Sequence, residues 1–97
     1  MSDPAVTAAQ PRYQRAEDCA WRVIDDQGAV ISSSVLRVRV LNAVATRVWE
    51  LCDGRTLDDI VAHVVAEFEV EEQQARGDVE AFLRDLGQRG MVRAEAG

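Results

Sequence analysis

The order of periodicities along the chain predicts an α+β fold: a three-stranded antiparallel sheet packed on a three-helix bundle. Three observations carry that expectation. From Val35 to Leu41 apolar and basic residues alternate with the two-residue period of a strand. Leu57, Ile60, Val61, Val64, Val65 and Phe68 recur at steps of three and four, the period of an amphipathic helix. The strand-like segments all precede the helical ones, which suits one compact α+β domain.

Each element follows from its residues. Residues 1–16, rich in Ala, Pro, Thr and Gln and without periodicity, read as a flexible N-terminal segment. The ordered domain is expected over 17–93, with 94–97 a frayed tail. Cys19 to Ile24 carries β-branched and aromatic residues and predicts a first strand. Asp25-Asp26-Gln27-Gly28 supplies turn chemistry, with Gly28 the residue suited to positive φ. Ala29-Val30-Ile31 returns as a second strand, broken by Ser32-Ser33-Ser34. In the third strand Leu36, Val38 and Val40 point one way, toward a core, and Arg37 and Arg39 the other.

At Asn42 the period changes, since Asn caps a helix through its side-chain oxygen; Val44, Val48, Leu51 and Cys52 then recur at helical spacing up to Asp53-Gly54. Thr56 caps a second helix, with Asp58 and Asp59 at its positive end. A third helix runs from about Glu71 to Arg89, with Ala75, Val79, Phe82, Leu83 and Leu86 on its apolar face, and ends at Gly90. Gly77 inside it costs up to about 1 kcal/mol relative to Ala and loosens its start.

Size and charge exclude several functions. At 97 residues the chain buries only about two thirds of its unfolded surface, enough for one modest core and not for a large enzyme with a deep cleft. It carries 11 Arg, no Lys and 17 acids, a formal charge of −6. No apolar run approaches the roughly 20 residues of a membrane span, and the N-terminus lacks the basic start and apolar stretch of a secretory signal, so a cytoplasmic protein without a membrane partner is expected. Cys19 and Cys52 form no C-x-x-C pair, and His63 is a lone surface histidine, so no metal and no cofactor are expected. The acid pairs Asp25/Asp26, Asp58/Asp59 and Glu71/Glu72 all fall at turns or helix starts, and no phosphate loop or nucleophile motif is present. No catalytic residue is assigned.

Three helices with a small sheet invite a winged helix-turn-helix reading, and a winged-helix DNA-binding or regulatory adaptor module is the alternative function. Charge opposes the DNA version. Between Asp58 and Asp85 nine acids face only Arg76 and Arg84, a balance of −7 on the helices that would enter a groove. The strand from Leu36 to Leu41, if it lies at an edge, is instead a template for strand addition by a peptide.

The string Val38 to Thr56, VRVLNAVATRVWELCDGRT, resembles the PqqD-like family, also called precursor peptide recognition elements of ribosomally synthesised and modified peptides. The match rests on Leu41-Asn42, Val48-Trp49, Cys52-Asp53-Gly54 with Thr56, Ile60, Phe68, Asp78-Val79, Phe82-Leu83, Leu86 and Gly90-Met91-Val92, and spans Trp21 to Val92. The resemblance implies a stand-alone, non-catalytic peptide chaperone. Such a protein binds the leader of a precursor peptide as an added strand along the third strand, over the third helix, and presents it to a modifying enzyme, often a radical SAM protein. On that mapping the peptide-binding residues are Leu36, Arg37, Val38, Arg39, Val40 and Leu41 for the backbone ladder. Asp78, Phe82, Asp85, Leu86 and Arg89 form the helical wall, and Arg37 and Arg39 suit an acidic leader. A monomer is expected, or a homodimer formed through the open edge.

Overall fold

A computed structural model describes residues 10–33 and 37–95, residue 37 by its backbone alone. Strands β1 (Arg12–Arg15), β2 (Cys19–Ile24), β3 (Gln27–Ser32) and β4 (Arg37–Leu41) come first. Helix α1 (Ala43–Leu51), strand β5 (Asp53–Thr56), helices α2 (Leu57–Phe68) and α3 (Glu72–Gln88), and strand β6 (Val92–Glu95) follow. The strands form two antiparallel sheets, ordered β2-β3-β4 and β5-β1-β6. The first is the predicted three-stranded sheet, and the three helices lie where the sequence placed them.

Local chemistry sets the helix starts. The Asn42 side chain accepts from the Ala45 N–H at 2.8 Å, and Thr56 accepts from Asp59 at 3.3 Å, each replacing a bond that the first turn lacks. The helices close on one core of Val48, Trp49, Leu51, Cys52, Ile60, Val61, Val64, Ala75, Val79, Leu83 and Leu86, capped by Val30, Leu41, Met91 and Val92. Burial pushes the Cys52 thiol up to about 12, and its Sγ bonds the Val48 carbonyl, so it behaves as a small core residue. His63 is exposed, as expected.

Three features differ from the sequence reading. Arg12–Arg15, expected in the flexible segment 1–16, is the central strand between β5 and β6. RYQR has no apolar alternation to betray it. Main-chain ladders on both sides hold it, together with Tyr13 on the core and Arg15, whose Nη1 bonds the Trp49 and Glu50 carbonyls at 3.1 and 2.7 Å. A guanidinium at a helix C-terminus satisfies carbonyls that the last turn leaves open. The tail expected to fray from residue 94 instead pairs through Glu95, opposite Arg12; residues 96–97 lie outside the described range.

The second difference is the hairpin turn. Positive φ falls on Asp25 (51°) and Asp26 (66°), not on Gly28. Gly28 lies in β3, where an added Cβ would stand 3.1 Å from the Thr46 hydroxyl that its N–H donates to. The glycine answers to close approach rather than to the turn, since a Cβ here would make Thr46 give way by a few tenths of an ångström.

The third is the facing of β4. Val38 and Val40 are about 60% exposed, and the side turned to the helices carries Arg39 and the buried Leu41. Register dictates this. Arg39 pairs with Val30 and Leu41 with Gly28, and Val30 is fully buried, so Arg39 and Leu41 share the core face. The outer face of this sheet therefore displays Ile24, Ile31, Val38 and Val40.

Candidate functional site: an open strand edge beside helix α3

Some of the residues that the sequence singled out meet between β4 and α3. Among the described residues β4 has β3 on one side and no strand on the other. Which of its main-chain groups face outward follows from the hairpin. A two-residue turn at Asp25-Asp26 closes on the pair Ile24↔Gln27, whose N–H and C=O groups bond each other. Parity then alternates, and Ser33 N–H to Asp18 C=O at 3.0 Å keeps to it. Gly28, Val30 and Ser32 thus face β4 and meet Leu41, Arg39 and Arg37. The N–H and C=O groups of Val38 and Val40 face the open edge.

Arg39 spans from this edge to α3. Its Nε lies 3.2 Å from Oδ2 of Asp85, its Nη1 donates to the Val40 carbonyl at 3.2 Å, and its guanidinium carbon stands 5.9 Å from the centre of the Phe82 ring. Arg89, one turn beyond Asp85 on the same helix, donates its Nε to both Asp85 oxygens at 3.1 Å. Loss of hydration pushes the Asp85 carboxyl up, but the hydrogen bonds from Arg89 and Arg39 outweigh it and hold the group below its ordinary value.

Of the residues assigned from sequence, Arg39, Val40, Phe82, Asp85 and Arg89 thus lie together, with Val38 beside them on the edge. Asp78 lies two helical turns from Asp85, roughly 10 Å along the axis, exposed and bonded by Gln74 at 3.1 Å. Leu86 and Leu41 have their side chains in the core. Leu36 lies outside the described residues, and for Arg37 only the backbone, paired with Ser32, is described. Sequence reasoning missed the bond from Arg39 to Val40; the only hint of the Arg39–Asp85 contact was that both residues were assigned to one groove.

The arrangement offers main-chain pairing and charge, and little general acid–base chemistry. Among the described residues no group of three or more His, Cys, Asp or Glu stands close enough to hold a metal ion. Among the described residues no helix is long and apolar enough to cross a membrane.

Comparison with known proteins decides the family. The pattern described as Coenzyme PQQ synthesis protein D (PqqD) matches residues 23–92, most of the chain. The chain belongs to the PqqD family. Among solved structures, this PqqD-family chain is similar to TbiB1 in complex with the TbiA(beta) leader peptide. The two are 25% identical, with a TM-score of 0.77 over 87% of this chain and 99% of that one. A lasso peptide synthetase B1 complexed with the leader peptide shares the fold at 22% identity, with a TM-score of 0.73 over 84% of this chain and 98% of that one. No curated protein sequence matches.

Proposed function

We propose that this PqqD-family protein is a non-catalytic recognition element that captures the leader of a ribosomally made precursor peptide and presents it to a modifying enzyme. The leader lies as an added antiparallel or parallel strand on β4, over α3. One observation carries the reading: Val38 and Val40 turn their main-chain groups outward along an edge from which Arg39 reaches Asp85 and Phe82 of α3. Main-chain bonds supply affinity that any extended chain can use, and the side chains of Phe82, Asp85 and Arg89 supply selectivity. Similar proteins solved in complex with leader peptides support the capture of a leader. The acidic surface of α2 and α3 is the opposite of what a duplex-binding protein presents.

The test is a titration of the isotopically labelled chain with synthetic leader peptides, the TbiA(beta) leader among them. Amide shifts are expected along residues 37–41 and on α3; shifts confined to α2 around His63, or none, would overturn the reading. Val38→Pro removes an outward N–H without touching the β3 ladder, since Arg37 and Arg39 carry the inward groups. It is expected to weaken leader binding about tenfold while leaving the unfolding midpoint within a few degrees. Duplex DNA at low salt serves as the contrasting ligand, and no binding to it is expected.

A further inference from the structure

We propose that Arg39 is a specificity-determining residue, a guanidinium that occupies the docking edge and yields to a peptide strand carrying a carboxylate. The inference rests on the peptide-docking reading above and deepens it by naming what the peptide must bring.

Geometry supplies the first step. The Arg39 side chain leaves the helix-facing side of β4 and folds so that Nη1 reaches the Val40 carbonyl while Nε stays on Asp85. It therefore stands across the space between the edge and α3, with Phe82 beneath it. A strand pairing with Val40 needs that carbonyl for its own N–H and needs the same space for its side chains. Docking displaces Nη1 from Val40.

Hydrogen-bond accounting supplies the second step. Once displaced, the outer nitrogens of Arg39 need a new acceptor. Asp85 cannot take them in full, because Oδ1 and Oδ2 already accept from Arg89 and Oδ2 from Arg39 Nε. An apolar side chain on the incoming strand offers nothing, and an amide oxygen offers a neutral bond. A carboxylate offers two oxygens in the geometry that a guanidinium matches, and bonds of that charged kind are about twice as strong as neutral ones.

Charge supplies the third. Arg39 and Arg89 against the one carboxylate of Asp85 leave this spot positive by one unit, on a row of α3 whose other charged residue is the exposed Asp78. Along that row a single acidic residue in the peptide is attracted beside Arg39 and repelled beside Asp78. The same carboxylate that replaces the Val40 contact thereby also fixes the register of the added strand, which a main-chain ladder alone leaves free to slip.

The test uses peptides selected from a random 15-residue displayed library on the wild-type chain, each then synthesised as a fluorescein-labelled pair that differs by Glu→Gln or Asp→Asn at one acidic position. By fluorescence anisotropy, wild type is expected to bind one acidic member roughly tenfold tighter than its amide twin. Arg39→Gln should bind the two members within about twofold, and Arg39→Lys, which keeps the charge without the planar fork, should retain part of the preference. In carbonyl-detected spectra of the free protein, the Val40 carbonyl should move on Arg39→Gln substitution.

Twins that bind wild type equally, in a complex that Val38→Pro still disrupts, would sink the role of Arg39 and leave the docking reading intact. An unmoved Val40 carbonyl would sink it too. If no selected peptide is sensitive to Val38→Pro, both readings fall.

Discussion

Asp85 holds two guanidinium groups at once, and its titration should be visible in the stability of the fold. A carboxyl held below its ordinary value contributes stability that is complete above about pH 4 and is lost as the pH falls through the folded value. Asp85→Asn is therefore expected to lower stability at pH 7, by about 0.5–1 kcal/mol since the pair is a third exposed. The deficit should close as wild type is taken down through the acid range, where its own Asp85 is neutral. Urea unfolding of both proteins between pH 7 and pH 2.5 checks this; a deficit independent of pH would mean that Asp85 acts by packing alone. Trp49 marks a different kind of residue, with its ring 1% exposed, its Nε1 without a protein partner among the described residues, and Trp21 edge-on at 6.1 Å. Packing holds it there in spite of the polar cost.

At the scale of elements, what was legible in the sequence was whatever writes itself in period and caps. The apolar steps of α2 and α3 and the caps Asn42 and Thr56 appear in the structure as read. Elements held by their main chains were not legible. β1 and β5 are four residues each and owe their place to ladders between segments far apart in the chain, which no local pattern records. β4 was legible as a strand, yet its facing was not. Alternation gives two faces, and only the partner strand, through Val30 and Leu41, decides that Arg39 and not Val38 turns toward the helices. Phe82, Asp85 and Arg89 lie on one row of α3 as their spacing indicated, while the self-contact at Val40 depends on a side-chain path that spacing cannot show.

The hairpin turn offers a direct measure of local strain. Asp25 and Asp26 both sit at positive φ, where a side chain costs about 1 kcal/mol or more and Asn-Gly is the preferred pair. Replacing them together, Asp25→Asn with Asp26→Gly, is expected to raise stability by about 1 kcal/mol, seen as a higher urea midpoint with unchanged slope. Peptide affinity should not change, because the turn joins β2 to β3 and β4 separates it from the open edge.

Across the whole molecule, two sheets divide the labour. β2-β3-β4 presents the open edge, and β5-β1-β6 ties the chain together, its middle strand anchored by Tyr13 against the core and by Arg15 on the end of α1. Tyr13→Ala should therefore cost about 1–2 kcal/mol, a fall of several degrees in the melting midpoint, although it lies in the other sheet from β4. Leader binding at saturating protein should persist. A loss of binding without loss of folding would place part of the site on this second sheet.

The pairing of Arg12 with Glu95 has a consequence for how the molecule can be rewired. In an antiparallel ladder those two positions lie side by side, so the chain enters and leaves the described domain at the same spot. A short Gly-Ser bridge from Glu95 back to Arg12 would close the backbone into a ring with little entropy of closure, and new ends could then be cut elsewhere. Such a circular permutant, opened between Glu69 and Glu71 in the α2–α3 loop, would keep β4 and its edge in place while freeing the old termini from any tag.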